Sequence, residues 1–187
     1  FLMDTTNRLI KEQYKHYRPP LELTILGTDD TFISRVIIAH TKSKGIFDMV
    51  DYARFEQISE RDRLKLFAEC MSIRQRCDEY LEKGQEVMVM GAINDGFALD
   101  FYETRFSKSA VEILLGDIWK PEWVLKSVLP KPKLNSYGWT PNSSRYKDRI
   151  TGDRVNVLID HILASQGLEI NNGKVWNPYL EREDALI

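Results

Sequence analysis

The most constraining feature of this sequence is a long helical pattern between two short apolar runs. Residues 59–83 carry apolar side chains at helical spacing, and Gly84 ends the pattern. An apolar run within residues 32–40 precedes this helix, and another within 86–90 follows it. Strand, helix and strand in this order form a crossover unit, so we predict that the two strands are parallel neighbours. The unit predicts an α/β fold.

Other parts of the chain add to this unit. Residues 21–41 read as two strands around a turn, and the second strand ends in an apolar stretch typical of a strand buried on both faces. Residues 99–118 read as partly helical, residues 119–154 as rich in loops, and residues 155–165 as a third strong strand. Because no repeat or linker divides the chain, we predict a single domain over residues 1–187.

The long helix has its own local signals. Ser59 followed by Asp62 resembles a capping box and predicts the start of the helix. The helical spacing places Arg63 and Glu69 on a solvated face. Cys70 and Cys77, the two cysteines, lie seven residues apart on one helix face, so we expect buried thiols rather than a disulfide framework.

The composition excludes several classes of protein. A chain of 187 residues with 43% hydrophobic and 29% charged residues is long enough for one domain with a real core. Its formal net charge of -2 excludes an overall basic coat for nucleic acid, and no apolar run approaches the roughly 18 residues that cross a bilayer. The start at Phe1 and the end at Ile187 predict that both ends are cuts within a longer sequence; the alternative is a complete small protein.

Polar residues stand at the ends of the apolar strands. His40 follows one predicted strand, and Asn94 with Asp95 follows the next. Ligands of α/β sheets gather where loops converge at the carboxyl ends of strands. We therefore expect His40 and Asn94 to lie side by side, although a turn is the more common role of an Asn-Asp-Gly run. Asp160 and His161 interrupt the third strand, where a carboxylate is costly unless it is hydrogen-bonded or holds a cation. For Asp160, a functional role and a structural role in anchoring a loop both remain open.

Basic and aromatic residues suggest an anionic ligand. Lys42 and Lys44 follow His40 and could meet a phosphate, although these two residues taken alone favour a solvated turn. The stretch 119–154 combines eight Lys and Arg residues with three Trp, a composition that suits a surface that stacks on bases. A hydrophobic anchor with a soluble rim is the alternative interpretation of this stretch, which also contains Tyr146.

Three of these segments together resemble one known family. Residues 40–44, His-Thr-Lys-Ser-Lys, resemble the HLKSK element of the endonuclease/exonuclease/phosphatase superfamily, whose members include deoxyribonuclease I. Residues 87–96 resemble its vivmGDFND element, and residues 158–163 resemble its RIDHIL strand. The order of the motifs and the long helix between the first two also match, so the resemblance covers nearly the whole chain.

The resemblance implies a fold and a chemistry. The family fold is a four-layer α/β sandwich of the deoxyribonuclease I type, and we expect its N-terminal part and final strand to be missing from this chain. The family hydrolyses phosphodiesters or phosphomonoesters, usually with Mg²⁺. Its metal-binding Glu belongs upstream of Phe1, so the resemblance assigns no metal ligand in this chain and implies that Mg²⁺ binds weakly or not at all.

The resemblance also implies roles for individual residues. His40 matches the His that contacts the phosphate or assists the leaving group, and Asn94 matches the Asn that hydrogen-bonds the phosphate. Asp160 matches the Asp that helps to position a catalytic His or the metal. We add Lys42 and Tyr146 to Asn94 as candidate substrate-binding residues.

One residue departs from the family pattern at the central position. Ala92 stands where the family has the Asp that orients or deprotonates the attacking water. The sequence therefore predicts a Mg²⁺-dependent, nuclease-like phosphodiesterase that is inactive in this form. The alternatives are a non-catalytic family member that binds a phosphorylated ligand or nucleic acid, and an unrelated α/β interaction module.

Overall fold

The strands of the protein form one mixed sheet and a separate small pair. The computed structural model describes residues 2–3, 9–10, 14–46, 51–96, 108–129 and 158–173. The small pair is antiparallel and joins β1 to β2. The strands are β1 (Leu2–Met3), β2 (Leu9–Ile10), β3 (Leu21–Leu26), β4 (Phe32–His40), β5 (Val87–Ala92), β6 (Lys126–Ser127) and β7 (Asp160–Ala164).

The mixed sheet has the strand order β3-β4-β5-β7-β6. Strands β4 and β5 are parallel, whereas the other three neighbouring pairs are antiparallel. The long helix connects β4 to β5, so the predicted crossover unit and the α/β class are confirmed. The third predicted strand begins at Asp160 within the described residues, and its predicted residues 155–157 lie outside them.

The long helix α1 (Tyr52–Leu81) begins earlier than the sequence predicts. Asp51 is its N-cap, and the side chain of Asp51 accepts a hydrogen bond from the backbone N–H of Arg54 at 2.8 Å. The predicted start at Ser59 is wrong, because the Ser59 hydroxyl accepts from the guanidinium of Arg63 instead of capping the backbone. Two shorter elements follow β5: helix α2 (Ala110–Leu115) and a 3₁₀ turn (Pro121–Trp123).

The core lies between α1 and one face of the sheet. Buried residues recur along α1 at steps of three and four, which forms a stripe against the sheet. Cys70 and Cys77 belong to this stripe and are fully buried as free thiols, which confirms the sequence prediction. The buried cluster comprises Ile37, Ala39, Leu66, Phe67, Cys70, Ile73, Cys77, Tyr80, Val87, Val89, Ile93, Ala110, Val111, Leu114, Leu125 and Leu163.

The predicted solvated face of α1 is wrong at two positions. Arg63 and Glu69 are buried, and segments 14–20 and 41–46 both bond to Glu69. Glu69 accepts hydrogen bonds from the backbone N–H groups of Tyr17 and Lys42, one from each segment. No helix in the described part of the chain is long and apolar enough to cross a membrane.

The opposite face of the sheet carries exposed apolar side chains. Ile38 is 36% exposed on this face, so the prediction that the end of β4 is buried on both faces is wrong at this residue. The register places Leu21 beside Ile38, and the same face continues through the other strands. We call this side of the sheet the open face. Its exposed apolar residues are Leu21, Leu23, Ile25, Ile38 and Ile162.

Candidate functional site

His40, Ala92 and Asp160, one from each of the three segments that resemble family motifs, form one row across the sheet. Strand register pairs His40 with Ala92 and Ala92 with Asp160. Directly paired residues point to the same side of a sheet, and neighbouring strands lie about 4.8 Å apart. Because Ala39 and His161 face the core, the alternation places the row on the open face. His40 and Asp160 are both exposed, and the methyl group of Ala92 lies between them.

The close contact of β4 and β5 at this row requires a glycine. Gly91 adopts φ +126°, and a Cβ atom at this position would lie 2.1 Å from the carbonyl oxygen of Ala39. No side chain fits there without moving the backbone. Gly91 therefore lets the two parallel strands stay paired up to His40 and Ala92.

Asn94 ties the ends of two strands together. Its backbone has φ +58°, and its side-chain amide donates to the carbonyl oxygen of Thr41 at 2.7 Å. Its own backbone N–H donates to the carbonyl oxygen of Ile159 at 3.1 Å. Asn94 is thus at the same end of the sheet as His40, and only 8% of it is exposed. Its amide group is engaged in holding the loop after β4.

Lys42 and Lys44 form ion pairs within the protein. The ammonium of Lys42 lies 2.8 Å from the carboxylate of Asp62, and the ammonium of Lys44 lies 2.5 Å from that of Asp95. Each lysine side chain keeps about a quarter of its surface exposed, 25% and 23% respectively. A phosphate at this place would compete with a buried carboxylate for each lysine. Tyr146 lies outside the described residues.

Asp95 is the residue of this region whose importance sequence analysis missed. It is fully buried, and one carboxylate oxygen holds Lys44 while the other accepts from the backbone N–H of Ala110 at 2.6 Å. Its carbonyl oxygen lies 2.7 Å from Nε2 of His161, which donates to it. Asp95 therefore joins the loop after β4, the start of α2 and strand β7. Its only sequence signal is the turn-forming Asn-Asp-Gly run.

His161 supports this arrangement from the core side of β7. Burial lowers the pKa of its imidazole, and the hydrogen bond to the carbonyl of Asp95 only partly opposes the effect of burial. The neutral ring donates from Nε2 and keeps β7 in place. His161 thus explains the polar interruption of this strand as structural, whereas the adjacent Asp160 faces the other side.

The described side chains of the row offer few ligands for Mg²⁺. Mg²⁺ prefers six oxygen ligands in octahedral geometry, whereas the row offers one carboxylate, one imidazole and one methyl group. Within the described ranges, no group of three or more His, Cys, Asp or Glu side chains is placed to hold a metal ion. Ala92 contributes only a methyl group between His40 and Asp160.

Comparison with other proteins leaves the site to be interpreted from its own geometry. No protein-family model, curated protein or solved structure matches this chain.

Proposed function

We propose that this chain is a nuclease-like phosphoesterase domain in which Ala92 blocks hydrolysis, so that it binds phosphate esters without cleaving them. The row of His40, Ala92 and Asp160 is the observation that carries the proposal. These residues come from the three segments that resemble the family motifs. Three distant segments of the chain meet at one end of the sheet, on neighbouring strands β4, β5 and β7. They are residues 40–44, 87–96 and 158–163.

The chemistry of phosphoester hydrolysis explains why Ala92 matters. An attacking water must be oriented and deprotonated while charge develops on the phosphate oxygens. A methyl group can neither accept a proton nor orient a water, and loss of a positioned general base costs about 10²–10⁴ in rate. The exposed imidazole of His40 still provides a hydrogen-bond donor for a phosphate oxygen.

The complete domain in this proposal is a four-layer sandwich that uses Mg²⁺. The exposed Leu21, Leu23, Ile25, Ile38 and Ile162 of the open face support the sandwich, because aligned sheets pack about 10 Å apart through such faces. The metal site in this proposal includes a carboxylate at position 92. A chain with Ala92 therefore binds Mg²⁺ weakly, and Mg²⁺-dependent hydrolysis belongs to a form with Asp at this position.

Lys42 and Asn94 take part in the proposal as ligands of the phosphate. Lys42 would exchange its ion pair with Asp62 for the phosphate, and its partial exposure allows this exchange. Asn94 would remain next to the phosphate while it holds Thr41. Tyr146 stays a prediction from the sequence.

Binding of a phosphodiester strand without bases tests this proposal. The probe is a fluorescein-labelled strand of eight phosphodiester-linked tetrahydrofuran abasic residues, which cannot break by β-elimination, and the readout is fluorescence anisotropy at low salt. We expect His40→Ala to weaken binding about tenfold, because a hydrogen bond to a charged group is lost. Ile38→Ala is the matched control, since Ile38 lies on the same strand and face, and it should leave the affinity unchanged.

The same samples test the blocked hydrolysis. We expect the strand to remain intact during incubation with Mg²⁺ and the protein as it stands. Cleavage of the strand would show that Ala92 does not block hydrolysis, and an unchanged affinity of the His40→Ala variant would show that the row is not the phosphate site.

A further inference from the structure

An exposed tyrosine is held at the same end of the sheet as the row. The backbone N–H of Tyr17 donates to one carboxylate oxygen of Glu69 at 2.8 Å, and the other oxygen accepts from the backbone N–H of Lys42 at 2.6 Å. Glu69 is only 2% exposed. One buried carboxylate thus fixes Tyr17 beside Lys42, which is two residues from His40.

The ring of Tyr17 lies among cations. The guanidinium carbon of Arg18 lies 4.9 Å from the ring centroid, and the ammonium of Lys65 lies 5.3 Å from it. Tyr17 nevertheless remains 63% exposed. The ring of Tyr17 is therefore accessible to a ligand, and the two cations beside it favour an anionic one.

The charge around the ring is positive. Lys15 and Arg18 are exposed, and the side chain of Arg61 is 68% exposed. Two carboxylates bond to this surface and both are buried: Glu69 accepts from the backbone of Tyr17 and Lys42, and Asp62 pairs with Lys42 and Arg61. An aromatic ring beside exposed cations is the combination with which proteins bind single-stranded nucleic acids, because the ring stacks on a base and the cations meet the phosphates.

We propose that Tyr17, Arg18 and Lys65 form a stacking platform for a base of a single-stranded nucleic acid whose backbone reaches the row at His40. The proposal rests on the proposed function and adds that the ligand carries bases. A single strand fits better than a duplex, because its bases are free to leave their neighbours and stack on the ring.

Two labelled strands of equal length separate base contacts from phosphate contacts. One is an octamer of thymidylate, and the other is the abasic octamer described above. We expect the protein to bind the thymidylate strand more tightly, and Tyr17→Leu to weaken that binding by about five- to a hundredfold. The same variant should leave the abasic strand unaffected, and Tyr17→Trp should keep the affinity for bases.

Two controls show whether an effect of Tyr17→Leu on binding comes from a change in the fold or from the loss of any exposed aromatic ring. Tyr17 is held through its backbone N–H, so Tyr17→Leu keeps the hydrogen bond to Glu69 and should keep the thermal unfolding midpoint. Phe32 is the matched aromatic control, because it is 40% exposed, its ring centroid lies 5.5 Å from the guanidinium carbon of Arg35, and it lies at the opposite end of β4 from His40. Phe32→Leu should not alter binding of either strand.

The outcomes distinguish this inference from the proposed function. If Tyr17→Leu weakens both strands equally, or neither, the stacking platform is refuted. If His40→Ala then still weakens both strands, the phosphate site stands without the platform. If instead Tyr17→Leu selectively weakens the thymidylate strand while His40→Ala changes nothing, the platform stands and the proposed phosphate site fails.

Discussion

A single buried carboxylate organises the end of the sheet at which the row lies. Asp95 connects Lys44, Ala110 and His161, which belong to three separate segments. A buried charge is tolerated only when it is paired and hydrogen-bonded, and both oxygens of Asp95 meet this condition. The positions of Asn94 and of strand β7 therefore depend on a residue that touches neither the row nor solvent.

The titration of His161 should make the stability of the protein depend on pH. Its folded pKa is lowered below the ordinary value of 6.5 by burial, so the unfolded chain binds more protons in this range. The free energy of unfolding should then be at its full value above pH 6.5 and decrease as the pH falls through 6.5 toward the lower folded pKa. Urea denaturation at several pH values measures this change.

His161→Gln serves as the control for this pH dependence. The glutamine amide can still donate to the carbonyl of Asp95 but does not titrate. The difference in unfolding free energy between wild type and variant should shrink as the pH falls, because only wild type carries the imidazole of His161. A difference that stays constant from pH 8 to 5 would contradict the structural role of neutral His161.

At the scale of elements, the crossover unit of β4, α1 and β5 depends on a close backbone contact. Gly91 brings β5 against Ala39 of β4, and its φ of +126° is a conformation that other residues rarely adopt. The parallel pairing therefore continues to the row only because this position lacks a side chain.

Gly91→Ala should destabilise the protein by about 3 kcal/mol or more, because backbone strain adds to a clash with the Ala39 carbonyl. Gly84→Ala is the matched control: Gly84 has φ +69°, but a Cβ there meets no atom within 4 Å. Gly84→Ala should lower the free energy of unfolding by only about 1–2 kcal/mol, the cost of a left-handed backbone conformation for alanine. Chemical denaturation measures the free energy of unfolding of both variants, and equal decreases would contradict the contact at Gly91.

The sequence predicted the elements whose signals are local. Apolar spacing located β4, α1 and β5, and the crossover rule gave their parallel arrangement. The start of α1 could not be read correctly, because Ser59 and Asp62 use their side-chain oxygens on Arg63 and Lys42 rather than on the helix backbone. Glu69 and Asp95 were misjudged for a related reason: their partners come from distant segments that only the fold brings together.

At the scale of the whole molecule, one sheet separates two environments. The face toward α1 is a closed core, whereas the open face carries exposed apolar residues and ends in the row. The α/β class and the crossover topology are established within the described residues, and the phosphoesterase character is the proposal built on them. Its central claim concerns position 92, where a carboxylate would complete a polar row between His40 and Asp160.

The most direct test is the effect of Mg²⁺ on the thermal stability of an Ala92→Asp variant. Two carboxylates directly opposite each other in an antiparallel pair repel, so the variant should be less stable than wild type by about 0.2–1 kcal/mol without metal. The substitution supplies a second carboxylate beside Asp160, and two carboxylates should bind Mg²⁺ weakly. If the dissociation constant is about 1 mM, 10 mM Mg²⁺ should raise the free energy of unfolding of the variant by about 1.4 kcal/mol. Wild type and Ala92→Asn should show no such recovery. Recovery that is absent from Ala92→Asp, or equal in all three proteins, would contradict the assignment of this row as the remnant of a metal-dependent phosphoesterase site.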